Sequence, residues 1–453
     1  MNSTSILKNS RRAFIKKTVA ASSLVAAGRA LPGWSAASYR RIIGANELFR
    51  VSIMGVNSRG AALGATFANQ PNCDLIHVCD VDSRALASFR KTISGIQAAP
   101  TKGFKDFRLS LESKDIDALV ISAPDHWHAP AALMAMKAGK HVYLEKPCSH
   151  NPHEGEIIVE AATKYNRKVQ MGNQRRSYPH VVQGIEELQS GAIGRVYIGK
   201  GWYTNNRASI GIGKETAVPD WLDWNLWQGP APRSAFKDNV VHYNWHWFWH
   251  WGTGEALNNG THMIDLLRWG MKADFPVKVS SNGGRYRYKD DWQTPDTQVI
   301  NLDFKEGMSM TWEGRSCNGR YIEGSSVGVE FYGEKGSLFM DGGDSYTLYD
   351  LNNKVIKEVK PSQQSDPRNV ANPSEYLDGL HVQNFFQSIN GKESLHSDID
   401  SGYKSTLLMQ LGNIAYRMGH SLDIDPLNGH ILNDSAAMKL WSRAYEPGWE
   451  MKL

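Results

Sequence analysis

Cysteine is scarce in this 453-residue chain: there are four, Cys73, Cys79, Cys148 and Cys317. They form no C-x-x-C pair and no zinc-ligand spacing, so no metal scaffold is expected. Cys73 and Cys79 fall on one predicted strand, where a rise of about 3.3 Å per residue puts them too far apart to bridge. All four are expected as free thiols. A charge bias is also lacking. Acids and bases are interspersed, the formal net charge is +5, and no basic block stands out beyond the amino terminus, so nucleic acid is not an expected partner. The chain has no internal repeat and no low-complexity tract. It also has no apolar run long enough to serve as a stable membrane anchor. Aromatic residues are plentiful, with 15 tryptophans and 17 tyrosines.

A chain of this length exceeds one ordinary core and predicts two domains. It opens with an address. Ser10 to Lys16 read SRRAFIK, a twin arginine followed by Phe and Lys, and the weakly apolar TVAASSLVAAG comes next before Arg29 interrupts it. This pattern predicts a twin-arginine export signal over residues 1–37, cleaved near Ala36 or Ala37, and a periplasmic location. That route carries folded proteins, so a cofactor would be loaded before export.

The rest of the chain is organised around Phe49 to Gly60, FRVSIMGVNSRG. Its apolar run is too short for a helix and suits a central parallel strand. Gly55 permits a tight turn, Gly60 lets the next helix pack close to the strand, and a pyrophosphate would sit on the helix amino terminus beside Arg59. The middle fingerprint position, usually glycine, is Asn57, which tolerates left-handed angles. The next apolar run ends at Asp80, about twenty residues past Gly60, where an acid would bond a ribose 2′-hydroxyl. Asp80 favours NAD; the nearby Arg59 and Arg84 leave NADP open.

The α/β alternation continues through DALVISAP, ending at a loop Pro124–His128 on the carboxyl edge of the sheet, where ligands bind. It then passes through HVYLEKP and KVQMGN. Residues 48–175 are therefore expected as a nucleotide domain. Over 176–362, alternating strands joined by Gly, Asn and Asp turns predict an open, mainly antiparallel sheet. The helices of 374–453 are expected to pack back on the first domain. The fold class is thus an α/β Rossmann domain plus an α+β domain.

Three stretches carry candidate chemistry. Glu145-Lys146-Pro147 ends a predicted strand, and its lysine could reach both nicotinamide and a substrate hydroxyl; a cis Lys-Pro bond would aim it inward. In GTGEALNNGTHMIDLLRW, His262 lies on a predicted helix with Asn258 one turn before it and Asp265 three residues after, all on one face, and histidine suits proton transfer near neutral pH. In YNWHWFWHWG, Trp245, His246 and Trp249 suit sugar stacking and hydroxyl recognition. His242, His246 and His250 have helical spacing, but nothing demands a helix there and no metal is expected. Arg175 is a candidate for substrate or phosphate contact, although a solvated pair with Arg176 is the plainer reading.

Together the Gly55 turn, the APDHWHA loop, the GKHVYLEKP strand and the GTHMID helix resemble the Gfo/Idh/MocA family of glucose–fructose oxidoreductase and inositol dehydrogenase. The resemblance implies NAD or NADP bound by residues including Gly55, Asn57, Arg59, Gly60, Asp80, Pro124, Asp125, His128, Glu145 and Lys146. It also implies an open sheet that covers the nucleotide, Lys146 touching substrate and cofactor, and His262 as general acid or base. The aspartate that often stands one turn before that histidine is Asn258 here. Tyr243, His246 or Asp265 could share its work. Three readings follow. The first is an exported NAD(P)-dependent oxidoreductase acting on a ring hydroxyl of a sugar or glycoside, for example at C3, with a tightly held cofactor. The second is a redox-neutral glycosidase or lyase of the same fold, and the third a non-catalytic carbohydrate-binding protein. A small carbohydrate is the expected ligand, and a homo-oligomer through the open sheet the expected assembly.

Overall fold

The computed structural model describes residues 48–361, 366 and 374–453. The expected export signal, the arm that follows it and most of the polar linker after residue 361 lie outside these residues.

Strand β1 (Phe49–Met54) is followed by helix α1 (Arg59–Ala68), β2 (Cys73–Cys79), helix α2 (Ser83–Ser94) and β3 (Lys102–Phe104). The alternation goes on through β4 (Ala118–Ile121), α3 (Asp125–Lys137), β5 (His141–Leu144), α4 (Pro152–Lys164) and β6 (Val169–Met171). The six strands form one parallel sheet in the order β3-β2-β1-β4-β5-β6. Val51, Ile53 and every residue of β4 are fully buried, as a strand covered by helices on both faces requires. The chain reverses direction across the sheet between β1 and β4, which opens a crevice at their carboxyl ends.

Two local expectations are corrected. Asp125 to His128 are not a loop, because α3 already begins at Asp125. Pro130 lies inside this helix and cannot donate to the His126 carbonyl, which takes a hydrogen bond from Arg443 Nη2 at 2.7 Å. The GTGEALNNGTHMID stretch is not one helix. It is α5 (Gly254–Asn258) and α6 (Gly260–Met271), separated at Asn259.

The second sheet has nine strands: β7 (Val196–Thr204), β8 (Lys278–Gly284), β9 (Thr297–Phe304), β10 (Met308–Arg315), β11 (Val327–Gly333), β12 (Gly336–Met340), β13 (Tyr346–Asp350), β14 (Val355–Val359) and β15 (Leu422–Asp423). Their order is β14-β13-β12-β11-β7-β10-β9-β8-β15, and all pairs are antiparallel except β10 with β7. Period-2 burial along β9 turns Gln298, Ile300, Leu302 and Phe304 to the core. Helix α6 lies on this inner face, where Gly201 leaves room for Met263. Of the carboxyl-terminal helices, α7 (Glu375–Ile389) packs on the nucleotide sheet, with Phe386 stacked on Phe49 at 4.4 Å between ring centres. Helix α8 (Ile399–Met418) is wedged between the two halves, its Tyr403 against Gly155 and its Gly412 against Ile300. The chain then adds β15 to the edge of the second sheet.

Candidate active site

A cavity of about 300 Å³ opens at the carboxyl ends of β1, β2, β4 and β5. Its floor begins with the glycine turn. Gly55 has φ +83°, and a side chain there would strike the Ser122 carbonyl; a Cβ on Gly60 would lie 1.9 Å from the Gly55 carbonyl oxygen. Both glycines are therefore required by the backbone. Besides Gly55, the residue of the turn with positive φ is Ser58, at +52°, rather than Asn57, whose exposed side chain lines the cavity. Asp80 closes the turn: its Oδ2 accepts from the Val56 N–H and its Oδ1 from the Asp82 N–H, both at 2.8 Å. Burial raises the Asp80 pKa against the pull of these two amides.

Arg59 points along the floor and is not free to meet a phosphate. Its Nε donates to Glu145 at 2.8 Å and its Nη1 to Asp378 at 2.5 Å. Pro124, Asp125 and His128 line the cavity as expected. Thr253 Oγ1 donates to Asp125, and the His128 ring is clamped between the carbonyls of Pro147 and Ala123 at 2.6 and 2.7 Å. This clamp fixes the turn that carries Lys146.

The Lys146–Pro147 bond is cis. Lys146 Nζ donates to the Asn258 carbonyl at 2.7 Å and to its Oδ1 at 3.2 Å. Burial lowers the lysine pKa, opposed by Glu145, Asp125 and Glu255. His262 lies behind this pair on α6. It is buried, does not line the cavity, and its Nδ1 has no protein partner among the described residues. Burial drives its pKa well below the ordinary value, helped by Arg175, Lys146 and Arg59, so the imidazole is neutral.

The expected substrate residues divide. Trp245, His246 and Asn258 line the cavity. Trp245 stacks on His246 at 3.6 Å, and the His246 Nδ1 lies 2.6 Å from the Tyr243 carbonyl, which leaves Nε2 as an acceptor. Trp249, Arg175 and Asp265 are elsewhere. Trp249 lines a separate cavity of about 220 Å³ under the Arg417 guanidinium. Arg175 is buried and donates from Nε to the Gly342 carbonyl. Asp265 is buried in a two-pronged pair with Arg176 Nε and Nη2, at 2.7 and 2.8 Å. The arginine pair is thus internal and not solvated: one turn of α6 carries Asp265 away from the cavity and into the helix–helix interface. His242, His246 and His250 face Asp82, the Tyr243 carbonyl and the Pro232 carbonyl respectively, three separate partners.

The sequence marked the aromatic stretches of the roof for sugar stacking, but not their place over the nucleotide crevice. Residues 219–251 leave the second sheet and lie across the nucleotide crevice. Leu222 bridges to Asp82, the Ser83 N–H donates to the Trp221 carbonyl, and the Asp223 N–H to the Val81 carbonyl. His242 Nε2 meets Asp82 at 2.8 Å, and the Trp227 carbonyl accepts from Trp127 Nε1 at 2.9 Å. Leu226, Trp227, His242 and Tyr243 face the cavity. The tryptophans of PDWLDWNLWQGP stand out in the sequence as a further aromatic stretch suited to a sugar, and the structure puts Leu226 and Trp227 of that stretch on the cavity. The glycine cradle, Asp80 at the strand end and the crevice between β1 and β4 together fit a dinucleotide.

Comparison with known proteins agrees with this geometry. Residues 49–173 match the "Oxidoreductase family, NAD-binding Rossmann fold" model and residues 202–451 the "Oxidoreductase family, C-terminal alpha/beta domain" model. An inositol 2-dehydrogenase of Rubrobacter xylanophilus is 26% identical over 65% of this chain and 72% of its own length. A glycosyl hydrolase family 109 protein of Saccharopolyspora erythraea is 30% identical over 39% of each chain, so the match spans about two fifths of that relative. The structure of an aldose-aldose oxidoreductase from Caulobacter crescentus superposes with TM-score 0.62 at 18% identity, over 83% of this chain and all of the other. The NAD-binding Rossmann domain and the carboxyl-terminal sheet domain are thus both present, and the chain belongs to the Gfo/Idh/MocA family of oxidoreductases.

Proposed function

We propose that this oxidoreductase acts on a ring hydroxyl of a sugar or glycoside and keeps its NAD bound through the cycle. The observation that carries the reading is the meeting, on one cavity, of Lys146 and Asn258 with the aromatic pair Trp245 and His246, at the end of a crevice that fits a dinucleotide. The glycine turn from Gly55 to Gly60 would hold the pyrophosphate and Asp80 the ribose hydroxyls. Bound NAD supplies a hydride acceptor. The chain's own residues then manage the hydroxyl and its proton. Trp245 packs on an apolar ring face. His246 accepts a hydrogen bond at Nε2. Lys146, charged and held by Asn258, stabilises the oxygen as its proton leaves. Proton acceptance is assigned to His262, which stands behind Lys146 and off the cavity wall, so the substrate hydroxyl must come past Lys146 to reach it; its neutral state is the competent one. The twin-arginine signal is part of this proposal: the protein works in the periplasm, charged with its nucleotide before export.

The roof favours a second reading. With residues 219–251 tied across the crevice, the nucleotide need not exchange, and a redox-neutral bond cleavage is compatible with the glycosyl hydrolase family 109 relatives. Absorbance at 340 nm on the holoprotein, during addition of free sugars and glycosides, separates the two. A lasting rise supports net oxidation. Bond cleavage with no net rise supports the redox-neutral cycle. If the sugars bind and neither change occurs, both readings fail.

A further inference from the structure

The family resemblance places an aspartate where this chain has Asn258, one turn before His262. The structure locates a carboxylate one step further back. Glu255 is the second residue of α5 and is buried, with 3% of its surface exposed. Its Oε2 accepts from Arg207 Nε at 2.9 Å and from Ser316 Oγ at 2.8 Å. Its Oε1 accepts from Asn258 Nδ2 at 3.3 Å and, in a very short contact, from Asn259 Nδ2. These bonds settle the Asn258 amide. With Nδ2 turned to Glu255, Oδ1 can only face Lys146 Nζ, 3.2 Å away.

We propose that Glu255 is a positioning residue for Lys146: it takes the place of the missing aspartate, and Asn258 relays its charge to the lysine ammonium. This rests on Lys146 being the group that touches substrate. Three features give it weight. The relay is hydrogen-bonded at every step. Arg207 neutralises the buried carboxylate and is itself spread over the rings of Tyr203, Tyr243 and Trp247, so the Glu255 charge has a fixed countercharge and a fixed geometry. Finally, an aspartate at 258 would put a second carboxylate within about 3–4 Å of Glu255, where two like charges cannot both ionise; the asparagine is the residue this neighbour demands.

The test reads the lysine directly. Lys146 faces Glu145, Asp125, Arg59, Glu255, His246 and His262, and the Glu255 charge favours its protonated form. Competitive labelling with acetic anhydride across pH, read by peptide mass spectrometry, gives the pH at which Lys146 becomes reactive. Glu255→Gln should move that midpoint down by about one pH unit, and Glu255→Asp should leave it near the wild-type value. Because Glu255→Gln strands the buried Arg207, the pair Arg207→Gln/Glu255→Gln is measured alongside and should show a smaller move in the same direction, since the arginine charge that opposes Glu255 goes with it. Asn258→Asp should not raise turnover. An unmoved midpoint in both charge-removing variants, or a more active Asn258→Asp, would overturn the proposal. The labelling needs no turnover, so an enzyme inert toward every sugar would count against the proposed function and leave this result to stand or fall separately.

Discussion

Arg59, the first residue of the nucleotide-binding helix, donates to Glu145 of the Glu-Lys-Pro turn across 2.8 Å of buried space. The same guanidinium reaches Asp378 on the carboxyl-terminal helix α7 at 2.5 Å. One side chain thus joins the phosphate end of the crevice, the turn that carries Lys146 and the end of the chain. Its charge is spent on two carboxylates.

That engagement decides cofactor choice. Discrimination for a 2′-phosphate needs a free cation near the ribose, and neither nearby arginine is available. Arg59 is paired as above, while Arg84 bonds Asp82 and lies 3.5 Å over the Trp221 ring. Asp80 adds repulsion. The protein should bind NADH at least about tenfold tighter than NADPH, since a charge-assisted contact is worth about 1.5–3 kcal/mol. Replacing Asp80 by Ser should weaken NADH and narrow that ratio. Fluorescence titration with both nucleotides measures it, and equal affinities would refute the argument.

Asp265 should prove structural. Arg176 and Arg268 together with the Ser405 hydroxyl outweigh burial and hold its carboxyl below the usual range. Asp265→Asn leaves Arg176 buried without its partner and should cost about 3–5 kcal/mol of stability, with little change in KM for sugar. The linkage sign follows from the direction of the shift. A depressed folded pKa contributes stability above the unfolded value near 4, and that contribution is lost as pH falls through the folded value. Urea unfolding of the variant should therefore lack this component of the acid limb. A large KM effect at unchanged stability would restore a substrate role.

How much of this could be read beforehand follows the period of the signal. The strands β1, β4 and β9 are written as unbroken or alternating apolar runs, and the glycines of the turn are needed by local backbone geometry, so both were legible. Trp249 and Asp265 were misplaced for a physical reason: neighbours in sequence on a loop or helix face diverge by tens of degrees, and only packing decides which enters the cavity. Asp265 sits three residues after His262 and already points to Arg176. The places of Trp227 and His242 at the crevice were out of reach because they meet it through partners 100 and 160 residues away in sequence, Trp127 and Asp82.

The roof predicts slow nucleotide release. The His242–Asp82 bond ties it beside the ribose end of the crevice. His242→Leu keeps the volume but removes a charge-assisted bond worth about 1.5 kcal/mol or more, so NAD should leave at least about tenfold faster. Stopped-flow displacement of bound NADH reports that rate. An unchanged rate would mean that the roof does not gate release.

The last expectation concerns acid lability. His126, His262 and His381 are all buried, and burial is the leading cause that lowers each pKa, to about 4 for His381 and well below the ordinary value for the other two. Above about pH 6.5 these rings are neutral in both states and contribute no pH dependence. As pH falls below that value the unfolded chain takes up protons that the folded chain refuses. Stability must therefore drop, by up to about 1.4 kcal/mol per pH unit for each ring. This window lies above the carboxylate window of Asp265, so the two can be separated in one titration. Denaturant unfolding from pH 7.5 to 4.5 should show a steady decline that begins near pH 6.5, and calorimetry in buffers of different ionisation enthalpy should show net proton uptake on unfolding at pH 5. A flat profile over that interval would mean that the histidines open to water and titrate in the folded protein, and that His262 is then not held neutral for proton transfer.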